Sequence, residues 1–392
     1  MTIATVLGQI STAEFLREYW QKKPLLIRQA LPDFISPLSP EELAGLACEE
    51  DVPARLILES GGDHPWQLKQ GPFTEADFTK LPEDGYSLLV TDCDKLIPDL
   101  MSIVERFRFV PDWRIDDLMI SYAPPGGSVG AHIDEYDVFL LQGMGRRRWM
   151  IEYPVIHREF VPGLDIRLLA EFTPTDEWVL EPGDMLYLPP GVPHHGVAID
   201  PCMTFSIGFR APLWHELTAG VADRLQLCAD QSARYTDPAL SLQENPGELT
   251  AAMRQQLRAG VRALLNADDA LLDRLIAETL SERPLDHAAF YPQQEPLSRE
   301  ELIAELQAGE ERLMRTPAAR LILVESESTY LAHDGATLAL TPAMLPLARL
   351  LTRAVFFDSA AVLAAIAAPE AADWLVQLYA DGVVQWQPRL LP

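Results

Sequence analysis

Long apolar runs are missing from this chain. None approaches the roughly 18 residues needed to cross a bilayer, so no membrane segment is expected. The opening residues Met1-Thr2-Ile3-Ala4-Thr5-Val6 carry no basic stretch, so no signal peptide is expected either. Cysteine is scarce: Cys48, Cys93, Cys202 and Cys228 are scattered with no C-x-x-C and read as reduced thiols of a cytoplasmic protein. Positive charge is short as well, with 31 Lys and Arg against 58 Asp and Glu and a net charge of −27. Nucleic acid demands a basic footprint, so direct nucleic-acid binding is disfavoured. A basic protein partner is compatible, because opposite charge speeds encounter, although acidity is also common among cytosolic proteins. There is no internal repeat or low-complexity tract. What is present is 392 residues, 48% of them hydrophobic, enough for two or three ordinary globular domains.

The chemistry is concentrated in two stretches, Gly130 to Glu152 and Glu181 to Gly196. His132 and Asp134 are two residues apart, so on an extended chain both side chains face one way and reach one metal ion. A strand follows, with Tyr136, Val138 and Leu140 on one side and Asp137, Phe139 and Leu141 on the other. Gly143-Met144-Gly145 predicts a reversal, after which Arg146 to Glu152 is expected to pair back on that strand. In the second stretch, the turn Glu181-Pro182-Gly183-Asp184 precedes a short strand, Met185 to Leu188. Pro189-Pro190-Gly191 then presents His194 at a strand entrance as a third ligand, 62 positions after His132. Two His and one carboxylate leave up to three metal positions open, the pattern of non-haem Fe(II) oxygenases. An H-x-D triplet alone is weak; the later P-H-x-G and Arg147 sharpen it. A planar guanidinium binds a carboxylate bidentately, which suits the distal carboxylate of 2-oxoglutarate. Arg147 shares a face with Trp149, while Arg146 and Arg148 face solvent. His195 and Glu135 are expected to point away from the metal.

These motifs, H-x-D, G-R-R-R-W and P-P-G-x-P-H, resemble the JmjC-type 2-oxoglutarate oxygenases, and among them the bacterial ribosomal oxygenases that hydroxylate an arginine of ribosomal protein uL16. The resemblance is densest from Asp117 to Arg210 and extends over the whole chain. In the wider family the 2-oxoglutarate-binding position fifteen residues after the first His is often Lys; here it is Arg147, as in the bacterial arginine hydroxylases. The resemblance implies Fe(II) held by His132, Asp134 and His194, with 2-oxoglutarate and O₂ as co-substrates. It further implies a uL16 substrate hydroxylated at the arginine β-carbon, and a homodimer formed by a helical domain.

The flanking sequence is read as an N-terminal α+β lead-in and a mostly β core of double-stranded β-helix, cupin or jelly-roll type. An α-helical bundle and a winged-helix-like α+β C-terminal domain follow. The expected boundaries are 1–211 (core about 95–211), 212–308 and 309–392. Ser11 and Ser39 are placed to cap helices, Leu25 to Ile27 reads as a strand, and Leu96 to Phe107 as one amphipathic helix. Ala54 to Glu59 and Trp66 to Gln70 flank a hairpin turn that holds His64. Many short strands bounded by Gly or Pro run from Asp117 to Arg210, as in a barrel or jelly roll. His157 is read as a surface residue, and His215 and His287 lack companion ligands. Asp117 and the Glu135-Tyr136-Asp137 run put carboxylates near the site, as either a pocket for a cationic side chain or a solvated rim. After Pro212, apolar residues recur at helical spacing, in a bundle that either dimerises or packs on its own chain. From Glu310 onward six Arg and no Lys face nine carboxylates, so protein docking is favoured over DNA contact. Two alternatives within metal chemistry stay open: a histidyl hydroxylase or demethylase acting on another basic protein, and a cupin enzyme that does not use 2-oxoglutarate. A non-enzymatic scaffold is the third.

Overall fold

The computed structural model describes residues 6–59, 66–228, 234, 249–265, 267–283, 287 and 290–388. The chain divides into two compact units, Met1–Ala211 with Thr316–Ala318 and Pro212–Arg315 with Ala319–Pro392.

The first unit opens with α1 (Thr12–Glu18), where the Ser11 hydroxyl accepts from the Glu14 amide. Next come β1 (Leu25–Ile27) and α2 (Pro40–Leu46), the latter held by a reciprocal Ser39–Glu42 capping box. β2 (Ala54–Glu59) and β3 (Trp66–Gln70) pair antiparallel; the turn expected between them, with His64, lies outside the described residues. Then follow α3 (Glu75–Phe78), β4 (Tyr86–Val90), α4 (Cys93–Leu96), α5 (Met101–Val104) and β5 (Ile115–Ala123). The single helix expected over Leu96 to Phe107 is broken. Pro98 disfavours helical geometry at Ile97, which is extended at φ −125°, and 3₁₀ turns flank α5 on both sides.

Strands then dominate: β6 (Asp137–Met144), β7 (Arg147–Ile151), β8 (Asp176–Leu180), β9 (Met185–Leu188), β10 (His194–Ala198) and β11 (Cys202–Phe209). They form an eight-stranded antiparallel sheet, β1-β9-β6-β11-β5-β4-β2-β3, and a three-stranded one, β10-β7-β8. Side chains alternate as the period of two requires. Val138 and Leu140 of β6 and Leu186 and Leu188 of β9 meet Trp149 and Ile151 of β7 in one buried cluster, so the two sheets face each other. The outward side chains of the large sheet, Phe139, Tyr187 and Phe209, are covered by Phe15 and Trp20 of the lead-in, with ring centroids 4.9 to 5.5 Å apart. This is the cupin-type sandwich expected from the turn-bounded strands.

One expectation is overturned. β7 does not pair back on β6; it lies in the small sheet between β10 and β8, while β6 sits between β9 and β11 in the large one. The cause is local. Gly145 takes a left-handed φ of +61°, where a Cβ would meet the Pro201 carbonyl at 2.1 Å, and the chain crosses from one sheet to the other there. The Arg146 amide and guanidinium both bind Asp200, at 2.5 and 2.7 Å, on the far side of that crossing.

The second unit contains α6 (Trp214–Cys228), α7 (Ala251–Leu265), α8 (Asp269–Ser281) and α9 (Arg299–Ala308). It continues through β12 (Glu311–Arg315), β13 (Ile322–Val324), β14 (Tyr330–His333), β15 (Ala336–Ala339), α10 (Leu345–Arg353), α11 (Ser359–Ala365), α12 (Pro369–Ala380) and β16 (Val384–Pro388). Asp268, Ser298 and Asp358 cap α8, α9 and α11. The turn at Asp381-Gly382 leads into β16, whose partner is the distant β12 and not a strand next to it in sequence. The β13-β14-β15 sheet packs against α8 through Tyr330, Ala332 and Ala277.

Candidate metal centre

The small sheet brings His132 and His194 together. The His132 amide donates to the His194 carbonyl and the His194 amide to the His132 carbonyl, both at 3.0 Å. The two residues therefore sit directly opposite in an antiparallel bridge, and their rings are 4.2 Å apart. Asp134 is two residues further along. Its Oδ2 lies 3.9 Å from His132 Nε2 and 3.5 Å from His194 Nε2. One ligand atom from each of the three falls within 4.8 Å of the others, the one such group of three or more among the described residues.

The ring orientations fit metal binding. His132 Nδ1 lies 3.0 Å from the Gly130 carbonyl, and His194 Nδ1 lies 2.9 Å from the Val192 carbonyl. A carbonyl only accepts, so each Nδ1 carries the proton and each Nε2 presents a lone pair. Burial pushes the His194 pKa down to about 4, helped by His132, so the ring is neutral near pH 7. His195 faces the other way, with Nε2 3.0 Å from Ser128 Oγ and its ring edge-on to Phe172. Glu135 is exposed and ion-pairs loosely with Arg167 at 4.0 Å.

Arg147 is the second component. It is 4% exposed and turns inward with Trp149, over whose ring the guanidinium sits at 5.4 Å. Its Nη1 donates to Ser121 Oγ at 3.3 Å and Thr204 Oγ1 at 3.2 Å, from β5 and β11, and Thr204 donates onward to Gln142. Its Nε has no partner among the described residues, and neither does the buried Trp149 Nε1. Burial pushes the guanidinium pKa down, with no carboxylate beside it among the described residues to compensate. A buried cation with an idle donor is costly unless an anion completes it. Arg148 is exposed and Arg146 is half exposed, as their place on the opposite face requires. Gly196 makes room for this arrangement: a Cβ there would stand 2.7 Å from the Trp149 ring.

Residues 102–217 match the JmjC domain family model, and residues 175–283 match that of the AraC-like ligand binding domain. The ribosomal protein uL16 3-hydroxylase of Escherichia coli is 38% identical over 299 residues, which is 76% of this chain and 78% of that protein. The chain belongs to the JmjC ribosomal oxygenases. A probable ribosomal oxygenase of Haemophilus influenzae is 42% identical over 267 residues, 67% of this chain and 63% of its relative. The X-ray structure of E. coli ycfD superimposes with a TM-score of 0.83 at 33% identity, covering 97% of this chain and 99% of that one. The same E. coli ribosomal oxygenase in complex with cobalt and 2-oxoglutarate superimposes at 0.79 and 32%, with the same coverage.

In this ribosomal oxygenase several contributors lie outside the two motif stretches. Ser121 and Thr204 were signalled only as small hydroxyls inside otherwise apolar strands. Their approach to Arg147 follows from the register that sets Thr204 opposite Ser121. His157 is no free surface residue. Its Nδ1 lies 2.7 Å from Glu152 Oε2, and the fully buried Glu152 also accepts from the amides of Ile156, His157 and Thr173. This carboxylate ties down the loop that follows β7. Among the described residues no helix is long and apolar enough to cross a membrane.

Proposed function

We propose that this chain is an Fe(II)- and 2-oxoglutarate-dependent dioxygenase that hydroxylates the β-carbon of an arginine in ribosomal protein uL16, in the cytoplasm. One observation carries the reading: a buried, anion-free Arg147 shares the interior of the sandwich with a His132–Asp134–His194 group whose Nε2 atoms converge. The donor set suits Fe(II), which takes imidazole and carboxylate together in a facial arrangement with positions left open. The cobalt and 2-oxoglutarate complex of the E. coli relative supports it.

The roles divide by atom. His132 Nε2, Asp134 Oδ2 and His194 Nε2 would hold the metal, their rings fixed by the Gly130 and Val192 carbonyls. Arg147, steadied by Ser121 and Thr204, would take the distal carboxylate of 2-oxoglutarate and so set which end of it faces the metal. Bound iron, with 2-oxoglutarate and O₂, supplies the oxidising power for an unactivated C–H bond. The wall of Val138, Leu186, Leu188 and Trp149 keeps water from the interior. At the mouth Asp117 and Tyr136 would receive the cationic side chain; the two approach each other beside Gly208, whose absent Cβ would lie 3.0 Å from Asp117 Oδ1 and 4.0 Å from the Tyr136 ring. The net charge of −27 favours encounter with a basic protein and no direct nucleic-acid contact.

Residues 1–211 would carry catalysis, 212–308 homodimerisation and 309–392, winged-helix-like in its helices, protein docking. The deciding experiment adds Fe(II) and 2-oxoglutarate anaerobically, then O₂, to the protein with a ribosomal-protein digest. The expected result is succinate matched by a uL16 arginine peptide heavier by one oxygen atom. Succinate with an oxidised histidine peptide instead would reassign the substrate. No succinate above a His132→Ala control would reject the oxygenase reading for this chain.

A further inference from the structure

Three buried charged side chains, those of Asp92, Asp94 and Lys95, meet inside the first unit where β4 ends and α4 begins, alongside the partly buried Asp117 of β5. Buried charge is costly unless paired and hydrogen-bonded, so such a cluster has a specific reason to exist. Lys95, 8% exposed, sets its Nζ 2.5 Å from Asp92 Oδ1 and 3.6 Å from Asp94 Oδ1. β4 pairs with β5 only at Ile120, Ser121 and Tyr122. Past Val90 the neighbouring strand is gone, and α4 takes its place along that edge. There the Leu118 amide donates to Asp94 Oδ1 at 2.9 Å, and Lys95 Nζ donates to the Asp116 carbonyl at 2.8 Å. The peptide groups on both sides of Asp117 are thus held by one acceptor and one donor from α4.

Asp117 shares a β5 face with Ser121, four residues on, which touches Arg147. At about 3.3 Å per residue, Asp117 stands roughly 13 Å up the same wall from the Arg147 end. Tyr136, two residues from Asp134 in sequence, comes close to Asp117 beside Gly208 of β11. Burial pushes the Asp117 carboxyl up to about 7, with Lys95 pulling the other way.

We propose that Lys95 and Asp94 are positioning residues for substrate recognition: their buried bonds fix the backbone on either side of Asp117 and aim its carboxylate at a cationic side chain entering beside the metal centre. The inference rests on the reading of that mouth as an arginine site. A purely structural role for the cluster would lower all activities together with the folded fraction. A positioning role moves the KM for the protein substrate and leaves the co-substrate side of the reaction alone.

The test uses the full-length protein and a synthetic peptide carrying the uL16 arginine segment. KM and kcat for the peptide, KM for 2-oxoglutarate and peptide-independent succinate formation are measured for the parent, Lys95→Met, Asp117→Asn and the double variant. Lys95→Met is expected to raise the peptide KM roughly tenfold, about the loss of one charge-assisted hydrogen bond, with kcat, the 2-oxoglutarate KM and peptide-independent turnover unchanged. Asp117→Asn should raise the peptide KM at least as much, and the double variant should be no worse than Asp117→Asn alone, because both changes act through one carboxylate. Asp94→Ala, in which Lys95 keeps Asp92, carries the same expectation if Lys95→Met fails to fold. Multiplying effects in the double variant would overturn the proposal, as would a parallel fall of peptide-independent turnover in Lys95→Met. An Asp117→Asn protein with an unchanged peptide KM would overturn the arginine-site reading beneath it. A KM effect in Asp117→Asn not shared by Lys95→Met or Asp94→Ala would overturn the positioning role alone.

Discussion

Anion binding at Arg147 and the convergent His132–Asp134–His194 group rest on different side chains, so a single substitution separates them. Arg147 is a buried cation whose Nε has no partner among the described residues, and it stands apart from the three convergent ligand atoms. Arg147→Ala removes the anion site and leaves the Nε2 lone pairs of His132 and His194 in place. The KM for 2-oxoglutarate should rise by roughly a hundredfold, as expected for loss of a bidentate charge-assisted contact, while Co(II) titration followed by absorbance gives an unchanged affinity. A variant with normal 2-oxoglutarate dependence would place the co-substrate elsewhere. The grouping of His132, Asp134 and His194 was legible because two of them are near neighbours in sequence and the third follows a distinctive proline turn. Arg147 was legible through strand alternation, which put it on one face with Trp149 and sent Arg146 and Arg148 outward. Ser121, Thr204, Asp94 and Lys95 were not, since each meets its partner through a register or an edge between distant segments, and no local pattern encodes that.

Elements were read best where one side chain decides a boundary. Ser11 and Ser39 cap helices at the positions their hydroxyls mark. The reading failed where the outcome depends on which sheet a strand joins. β6 and β7 alternate equally well as hairpin partners, and it is the left-handed turn at Gly145 that parts them. The loop after β7 was unreadable for a related reason: its anchor is one buried carboxylate serving three amides. Burial opposes ionisation of Glu152, yet the His157 ring and the amides of His157, Thr173 and Ile156 outweigh it and draw the pKa down to about 2. The same bond raises the His157 pKa. Glu152→Gln should therefore cost about 3 kcal/mol near pH 6, from amides left facing a poorer acceptor, read as a lower urea midpoint for the first unit's transition. The sign with pH follows from both partners. A depressed carboxyl pKa gives stability that is complete above about 4.5 and fades as pH falls through about 2, and a raised imidazole pKa gives stability that is complete below about 6.5 and fades above His157's raised value. The gap between parent and variant should be widest between those limits; a gap independent of pH would mean that the carboxylate is not the anchor.

At the scale of the molecule, composition and periodicity divided the chain more reliably than they assigned what each part does. The change from alternating to helical spacing after Pro212 is visible in the sequence, and the second unit does open on α6, α7 and α8. Whether such helices bury their apolar stripes within the chain or against a second copy cannot be encoded in the stripe itself, because both uses require the same spacing. Exposure separates them. Leu257 and Val261 on α7 are 41% and 57% exposed, and Trp214 and Leu227 on α6 are 83% and 80% exposed. Single exposed apolar residues are ordinary, but several on adjoining helices are the material of an interface, provided that its area reaches about 1,000 Å². Replacing both Leu257 and Val261 by Glu should therefore convert a dimer into a monomer in light scattering at micromolar concentration. Helix content by circular dichroism should be unchanged, because exposed substitutions alter stability by only about 0.5 kcal/mol. A parent protein that is already monomeric, or a variant that keeps the parent's mass, would return these helices to the alternative in which the bundle serves its own chain alone.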